Sequence, residues 1–530
     1  MTTWHDYKKE IDKNGTLKPN WFILGIDLGT TNSVISYYNN ETKEPQVIDV
    51  SHGFGKVTLP SVVQLRPTKV ALGPLGENLP TQGEWVIGNE AQRTIKLYPR
   101  STVRNVKSLM GSGETIKILN KPYSPEEISA KILIELIGNI YDINPNAEIA
   151  GLVVSVPYDF GQTAKKATLN AIEIAGLKNK LITLIEEPKA AALAYSFANN
   201  LNLNENIMVF DFGGGTLDIT IFQVVEKTKQ TTVLNVISQG GAINHGGDNI
   251  DNILTGYLNK KYTSKTGLEV ETLQIENQLE IVTLARDTKE RLSHVATYKV
   301  PFSFAMPPFM EKVDRPFFEE LIKPLIQKTK NLVIKSIEES YTGELKKENI
   351  SRILLEGGSS GMPWVKSLLS DIFDSEKIFV SKTPALDISL GATYYAAIKM
   401  GILYNKDLEI PIEIDTTLPH DIGIEIEDED GVRFFEIIPR GTSFALAKKS
   451  YTFTLFNDTK KIETLEIKVL ERKNKDDNHN NLKTLGLANI VGIPVGNRGK
   501  TKVTLTLYAN ENMSIKGRVR SEDFDQTFEI

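Results

Sequence analysis

FILGIDLGTTNSVISYY, residues 22–38, joins two apolar, strand-like runs through Asp27, Gly29 and a short row of polar residues. A hairpin turn needs only a short loop that contains Gly or Asn. This loop also carries an acidic side chain and the two hydroxyls of Thr30 and Thr31. The segment is therefore predicted to be a strand–turn–strand unit that binds a small, charged, oxygen-rich ligand.

A second segment of the chain repeats this pattern. IMVFDFGGGTLDITIF (207–222) also runs from an apolar strand through Asp, an apolar residue and Gly into a turn of small residues and a second apolar strand. Asp211 takes the place of Asp27, and Gly213 takes the place of Gly29. Two copies of one unit predict a duplicated lobe, with one loop from each copy facing a shared cleft.

The two loops have the chemistry of a nucleoside triphosphate site. Glycines allow backbone N–H groups to approach phosphate oxygens closely, and Thr216 adds a further hydroxyl. The carboxylates of Asp27 and Asp211 would repel phosphate unless a hard cation lay between them, and Mg²⁺ prefers such oxygen ligands and keeps several waters. The loop residues predicted to bind the magnesium triphosphate are Gly29, Thr30, Thr31, Asn32, Gly213, Gly214 and Gly215.

A third glycine turn occurs in ILLEGGSSGMPWV (353–365), which reads as a strand, two glycines, small polar residues and a helix that begins with Pro. Alone it indicates a tight strand–helix turn. Beside the other two loops, it is predicted to contact the nucleoside through Gly357, Gly358 and Ser359. Neither a GxxxxGK[ST] loop nor a GxGxxG motif opening a βαβ unit is present.

The bulk composition limits the class of protein. A chain of 530 residues predicts two to four domains. The net charge of -6 argues against a nucleic-acid-binding protein, and the lack of cysteine excludes disulfides and thiolate sites. The N-terminus has no signal-peptide core and no apolar run is long enough for a bilayer, so we expect a cytoplasmic protein without a membrane partner.

The pattern of elements changes near residue 400. Residues 1–20 are a polar extension, residues 21–400 alternate strand-like and helix-like runs as in an α/β domain, and 401–416 form a linker. Residues 417–530 have period-2 strands separated by turn signals, which predicts an all-β sandwich. Within it, the polar run 471–481 is predicted to be a solvated loop. In the first domain, helices are predicted after Ser124 and over about 162–175.

Several segments resemble the seventy-kilodalton heat-shock (DnaK-like) chaperone family, in that family's order and spacing, over roughly residues 21–525. They are GIDLGTTNS (25–33), VVSVPYDF (153–160), IEEPKAAALAYS (185–196), VFDFGGGTLDI (209–219), HGGDNID (245–251) and LLEGGSSGMP (354–363). The resemblance implies an α/β actin-like (ribonuclease H-like) two-lobed ATPase domain, followed by an all-β sandwich that binds peptide. It also implies that the family's C-terminal helical lid is missing.

The resemblance further implies ATP/ADP and Mg²⁺ as cofactors. The implied partners are unfolded or extended peptide segments, a J-domain co-chaperone and a nucleotide-exchange factor, with no nucleic acid. The residues that match the family's catalytic positions are Lys107, Glu187, Asp211 and Thr216. Those that match further nucleotide contacts are Gly246, Gly247, Lys289 and Ser293. An interdomain relay is matched by Pro157 and Lys165, and a peptide groove by Ile424, Ile426, Phe453, Leu465 and Ile467.

The chain departs from the family where adenine is held. Glu290 and Gly361 align with two arginines that clamp the base, and Arg286 or Arg291 on the same predicted helix could replace them. Three functions stay open at this point: an ATP-driven chaperone, a nucleotide-gated peptide-binding module with weak or no hydrolysis and altered base recognition, and a small-molecule kinase. The appended β-domain argues against the kinase, and it argues equally against a filament-forming relative of actin.

Overall fold

The computed structural model describes residues 2–530 except 15, 52, 73–77, 159, 200, 229–230, 342–344, 382, 404–411, 416–417, 419, 429–430, 444–445, 456–463, 473–476, 478–481, 493–501, 511–514 and 523. Most of the predicted linker therefore lies outside the described residues. So do most of the polar run 471–481 and the turn between 492 and 502.

The described residues form helices and strands in mixed order, followed by strands alone. The helices are α1 (Trp4–Asn14), α2 (Asn89–Arg93), α3 (Pro125–Ile143), α4 (Gln162–Ile174), α5 (Glu187–Ala198), α6 (Gly247–Thr266), α7 (Ile275–His294), α8 (Arg315–Leu321), α9 (Lys323–Glu338), α10 (Pro363–Ser370) and α11 (Asp387–Lys399). The strands up to the linker are β1 (Trp21–Asp27), β2 (Asn32–Asn39), β3 (Glu44–Val47), β4 (Leu59–Pro60), β5 (Val62–Leu72), β6 (Asn78–Ile87), β7 (Thr102–Arg104), β8 (Ile116–Ile118), β9 (Lys121–Tyr123), β10 (Glu148–Val156), β11 (Leu181–Glu186), β12 (Asn206–Phe212), β13 (Thr216–Thr228), β14 (Thr231–Ile243), β15 (Thr297–Phe302), β16 (Phe309–Asp314), β17 (Ile350–Glu356) and β18 (Ile378–Val380). The later strands are β19 (Ile412–Asp415), β20 (Asp421–Asp428), β21 (Gly431–Ile438), β22 (Lys448–Thr454), β23 (Thr464–Arg472), β24 (Lys483–Val491), β25 (Lys502–Ala509), β26 (Ile515–Arg520) and β27 (Asp525–Glu529).

Two sheets of the same topology form the centres of the two lobes. The first has the order β11-β10-β1-β2-β3, and the second has the order β18-β17-β12-β13-β14. In each sheet the strand that carries the hairpin aspartate, Asp27 in β1 or Asp211 in β12, pairs in parallel with one neighbour and antiparallel with the other. The matching order confirms the duplication expected from the two hairpins.

Helices α5 and α11 pack between the two sheets and hold the lobes together. Their alanine-rich faces join residues of β1, β12 and β13 in one buried cluster. The approach is close: a Cβ on Gly25 of β1 would collide with Thr393 of α11, and a Cβ on Gly391 would collide with the backbone of Ala190 in α5. The bases of the lobes are therefore tightly joined, which leaves the cleft at the opposite side.

The helices expected from the sequence are confirmed. Helix α3 begins with a capping box in which Ser124 and Glu127 bond each other's backbone N–H groups. Helix α4 covers Gln162–Ile174, and the chain leaves it through Gly176 in a left-handed conformation at φ 78°.

The N-terminal extension contains a helix that the sequence analysis did not predict. Helix α1 buries Tyr7 and Ile11 against Trp21 at the start of β1. The Tyr7 and Trp21 rings meet edge to face at 4.8 Å, and the Tyr7 hydroxyl donates to Glu148 at 2.9 Å. Helix α1 is therefore polar on one side only, and it extends the first lobe.

The C-terminal part is a sandwich of two antiparallel sheets, β21-β20-β23-β24 and β22-β25-β26-β27. Their inward-facing side chains form one apolar core. Between the domains, β19 pairs in parallel with the edge strand β14 of the second lobe. The predicted linker therefore includes a strand of the ATPase sheet.

The sandwich also contacts the ATPase domain directly. Arg440 lies 3.5 Å from Glu339, Lys483 donates to Thr163, and the rings of His420 and Tyr158 are 6.3 Å apart. The predicted solvated loop needs a correction, because β23 extends to Arg472 and Glu471 is buried at this contact.

Candidate functional site

The loops of the two hairpins meet across the cleft. A Cβ on Gly214 would collide with the Thr31 hydroxyl, and a Cβ on Gly215 would lie 3.0 Å from a methyl carbon of Thr30. The close approach of the opposite loop therefore leaves no room for a side chain at Gly214 unless Thr31 moves, and little room at Gly215. The loops border a cavity of 450 Å³, which we call the nucleotide cavity.

Two further loops of the second lobe complete this edge of the cleft. The amides at the start of α6 bond to the second hairpin, Gly247 N to Gly213 O at 3.0 Å and Asp248 N to Gly214 O at 2.8 Å. The third glycine turn follows β17, and its Gly357 has φ 78° and lies against the carboxylate of Asp211. The three glycine turns predicted to share one site therefore border one cavity.

The polar lining brings nearly all the predicted nucleotide residues together. The predicted residues that line the cavity are Asp27, Gly29, Thr30, Thr31, Asn32, Lys107, Glu187, Asp211, Gly213, Gly214, Thr216, Lys289, Ser293, Gly357, Gly358 and Ser359. The other three predicted glycines lie directly behind this lining. Gly215 belongs to the second hairpin, Gly246 contacts that hairpin, and Gly247 lies beside Lys289 and Ser359.

A single lysine lies among several carboxylates at the phosphate end of the cavity. Lys107 is 5% exposed and forms an ion pair with Glu187. Asp27 accepts a hydrogen bond from Ser155 at 2.7 Å, and Asp211 lies near Asp218, Glu187 and Asp27. These side chains come from both lobes, so the charge cluster exists only when the lobes face each other.

The pKa directions show that negative charge is in excess here. Burial raises the pKa of Asp211 well above its usual range, and the neighbouring carboxylates of Glu187 and Asp218 raise it further. Burial also raises the pKa of Asp27, although Lys107 opposes this effect. For Lys107, burial would lower the pKa, but Glu187 and Asp27 outweigh it and raise the value. An added divalent cation would relieve this excess.

The donor set fits a cation held mainly through water and phosphate. Among the residues that the structure describes, no three His, Asp or Glu side chains converge to hold a metal directly. Mg²⁺ usually keeps several waters and binds one or two carboxylates together with substrate phosphates. The hydroxyl oxygen of Thr31 also fits a bound ligand, because it is buried and has no partner in the described part of the chain.

The nucleoside end of the cavity has a charged network. Lys289 lies 2.8 Å from Asp251 and donates to Gly247 O at 3.1 Å. Arg286 contacts Asp251 at 3.3 Å and Asp248 at 3.6 Å. These contacts draw α6 and α7 together along the cavity.

The adenine clamp is not rebuilt by the nearby arginines. Glu290 and Gly361 both line the cavity and are exposed. Arg286 lines it too, but its guanidinium is engaged by the two aspartates of α6. Arg291 lies over the ring of Tyr298, 6.0 Å from its centroid. The base subsite of this chain therefore has a carboxylate and open space at the two clamp positions.

The residues predicted as an interdomain relay lie between the cleft and the sandwich. Pro157 is buried at the end of β10. Lys165 of α4 is 5% exposed and lies 3.2 Å from Glu186, which also pairs with Lys189 at 2.8 Å. Glu186 also accepts from Gln239 of the second lobe at 3.1 Å. Lys165 is thus part of a buried network that reaches both lobes.

The residues predicted for a peptide groove belong to one apolar cluster of the sandwich. Ile424 and Ile467 are buried in it, and the remaining three are partly buried against it. Phe453 packs edge to face on Phe435 at 5.2 Å between ring centroids. The cluster brings the five side chains into one region, and their role in binding peptide stays a prediction.

Sequence reasoning missed several polar residues of the cleft. Asp248, Asp251, Ser155 and Asp218 lie in or beside segments that were compared with the family, but no role was predicted for them. Glu356, which precedes the third glycine turn, was also missed, and burial raises its pKa well above the usual range. The HGGDNID segment gave a signal for the first two, since its acids follow glycines at a helix start.

The duplicated sheets, the hairpins that meet across a cleft and the charge cluster define the class of two-lobed actin-like ATPases, here joined to a β-sandwich. Comparison with known proteins identifies the family within this class. The Hsp70 protein family model matches residues 23–529. The chain is 31% identical to the chaperone protein DnaK of Metamycoplasma hominis, covering 96% of this chain and 79% of the relative. It is 33% identical to the DnaK of Ureaplasma urealyticum serovar 10 (94% and 76%) and 30% identical to that of Thermotoga petrophila (92% and 76%).

The chain belongs to the Hsp70 family. It is an ATP-dependent molecular chaperone and an ATPase, and the predicted fold of actin-like lobes followed by a β-sandwich is confirmed. Proteins of this family bind ATP or ADP with Mg²⁺. In the described part of the chain, no helix has the length and apolar character needed to cross a membrane.

Proposed function

We propose that the nucleotide cavity of this chain binds ATP and ADP with Mg²⁺, and that hydrolysis there controls the binding of unfolded or extended peptides by the β-domain. The observation that carries the proposal is the cluster of Lys107, Glu187, Asp27 and Asp211 between glycine hairpins of opposite lobes. Its unbalanced negative charge suits a site that is completed by a cation and a polyphosphate.

Each group of the cluster has a distinct task in phosphoryl transfer to water. Backbone amides and hydroxyls of the hairpin loops hold the phosphates. When Mg²⁺ is bound, it would neutralise part of the phosphate charge. Lys107 places a compact positive charge where charge develops on the transferred group. Asp211 and Thr216 orient the attacking water, and Glu187 orients waters of the metal and holds Lys107. Catalysis rests mainly on this positioning.

The base subsite is proposed to bind the purine without an arginine clamp. Glu290 and the open space at Gly361 stand where the two arginine side chains of the family would stack on the base. The stacking energy is therefore lost, while the phosphate contacts stay intact. We expect ATP to bind through its phosphates with weak discrimination among bases.

Membership of the family and the contacts between the domains support the remaining parts of the proposal. Residues 21–400 are the ATPase domain, 401–416 the linker and 417–530 the peptide-binding domain, with Pro157 and Lys165 as the relay. The partners are a J-domain co-chaperone and a nucleotide-exchange factor, and the site of action is the cytoplasm. The groove is formed around Ile424, Ile426, Phe453, Leu465 and Ile467.

Two measurements on the full chain test the proposal. Calorimetric titration with ATP, ADP and GTP in Mg²⁺ should show binding of all three, with GTP within tenfold of ATP. Phosphate release, measured with and without an unfolded peptide, should be present and should rise with peptide. Binding without any hydrolysis would instead favour a nucleotide-gated binding module, and lack of Mg²⁺-dependent binding would refute the site.

A further inference from the structure

A second cavity lies behind the phosphate end of the nucleotide cavity. It has a volume of 390 Å³, and we call it the rear cavity. Thr30, Lys107 and Thr216 line both cavities, so the two meet at residues proposed above to surround the transferred phosphate. The ring of Phe160, also in the lining, has the Lys107 ammonium 6.0 Å from its centroid.

The outer wall of the rear cavity comes from the β-domain. His420, Glu471 and Lys483 line it from that side, and Gly161 and Thr163 line it from the ATPase side. Lys483 donates to the Thr163 hydroxyl, and a Cβ on Gly161 would lie 2.9 Å from the Glu471 carboxylate. The wall therefore exists only while the β-domain is docked.

The charges around the rear cavity suit a small anion. Lys107 of the ATPase domain and Lys483 of the β-domain both line it. Among the described residues of its lining, the one acidic side chain is Glu471, which is bonded to His420 Nδ1 at 2.8 Å and so has a partner of its own. Burial alone would raise the pKa of Glu471, but this hydrogen bond and the nearby lysines outweigh burial and lower it. The described lining residues therefore include two lysines, of which Lys107 is paired with Glu187, and one carboxylate, which is paired with His420.

We propose that the rear cavity is a binding site and exit path for inorganic phosphate, and that the docked β-domain delays its release. The inference rests on the proposed function. Attack of water on the γ-phosphorus breaks its bond to the bridging oxygen, which leaves with ADP. The phosphate keeps the water oxygen, and the displaced proton passes to solvent. The anion then moves past Lys107 towards Lys483, away from the cavity that still holds ADP.

A single-turnover experiment on the full chain tests this path. Quench-flow measures cleavage of ATP, and a fluorescent phosphate-binding protein measures phosphate that has reached the solvent. For the unmodified chain we expect phosphate to appear later than cleavage. In Lys483→Glu, the delay relative to cleavage in the same variant should fall at least fivefold. Lys483→Arg should keep the delay.

The matched control is Lys449→Glu, which makes the same charge change at an exposed position on β22. It should leave the delay unchanged. Simultaneous cleavage and release in the unmodified chain would overturn the inference, as would equal delays in the two Glu variants. Either result would leave the ATPase function standing.

A second measurement does not depend on hydrolysis. Inorganic phosphate is titrated into the chain loaded with Mg²⁺ and ADP. Binding that weakens at least fivefold in Lys483→Glu but not in Lys449→Glu supports the site, and equal binding by both overturns it. If quench-flow showed no cleavage at all, the proposed function would fail, while this titration would still decide whether the rear cavity binds phosphate.

Discussion

The buried carboxylate of Glu186 provides the sharpest test of how the ATPase domain is held together. It contacts Lys189 at 2.8 Å, Lys165 at 3.2 Å and Gln239 at 3.1 Å, and all of these side chains are almost fully buried. We predict that Glu186→Gln, which keeps the shape and removes the charge, destabilises the domain by about 3 kcal/mol.

The magnitude follows from the ionisation of this group. Burial alone would raise its pKa, but Lys189 and then Lys165 outweigh burial and lower the pKa of Glu186 from 4.5 to about 2. A drop of this size means that the folded protein stabilises the charged carboxylate over the protonated carboxyl by about 3 kcal/mol. Glutamine has the shape of the protonated carboxyl and carries no charge, so the substitution should lose this contribution. Loss of one member of a buried ionic network commonly costs about 3–5 kcal/mol, which agrees with this value.

The dependence on pH has a definite sign. Because the pKa is lower in the folded state, the contribution of Glu186 is present in full above pH 4.5 and is lost as the pH falls towards 2. The difference in unfolding free energy between the original chain and Glu186→Gln should therefore be about 3 kcal/mol at pH 7 and about half of that at pH 3.

Urea unfolding followed by tryptophan fluorescence measures this difference. The tryptophans of the chain, Trp4, Trp21, Trp85 and Trp364, all precede the linker, so the signal reports on the ATPase domain alone. Glu320→Gln is the control, since Glu320 forms an exposed pair with Lys323 and should contribute less than about 1 kcal/mol. A loss below 1 kcal/mol in Glu186→Gln, or one that does not change with pH, would refute the reasoning.

Three further predictions concern the cleft and the N-terminal helix. Lys107→Ala should reduce single-turnover hydrolysis by about 10²–10³-fold, because it removes the cation proposed to lie nearest the transferred phosphate. Lys117→Ala, at an exposed position on β8, should leave hydrolysis unchanged. Gly357→Ala should weaken nucleotide binding in calorimetry at least tenfold, since its Cβ would displace the Asp211 carboxylate. The control Gly113→Ala, at a glycine with a similar φ and open space around it, should bind nucleotide normally. Tyr7→Ala should lower stability in urea by about 3 kcal/mol, and an equal loss in Lys9→Ala, which is exposed, would contradict docking of α1 as the cause.

The features that the sequence predicted best are those carried by local pattern. The twin hairpins predicted the duplicated lobes because each copy combines strand periodicity with an acid and a glycine at fixed places. The start of α3 was predictable because Ser124 and Glu127 satisfy the backbone N–H groups of the first turn locally. Lys107 had no such signal, since a lone lysine is usually exposed and only the resemblance assigned it to the cleft.

Helix α1 was missed although its pattern was visible. Trp4, Tyr7 and Ile11 follow the spacing of one helix face, but the many charges between them gave the segment a polar character. The Glu186 network and the burial of Glu471 could not be predicted from local sequence. Both depend on groups that the fold brings together from distant segments. When the partner of a charged residue is not visible in the local sequence, the residue is predicted to lie on the surface.

The Glu186 network is better explained by its position than by stability alone. Buried ion pairs pay a large desolvation cost, and apolar residues of the same volume often stabilise a protein equally well. A hydrogen-bonded network, unlike an apolar contact, requires one particular geometry of its partners. Glu186 bonds Gln239 of the second lobe and directly precedes Glu187, which holds Lys107. We therefore expect a change in the angle between the lobes to displace the backbone at Glu187, and with it the side chain that pairs with Lys107. Such a displacement would couple closure of the cleft to the position of Lys107.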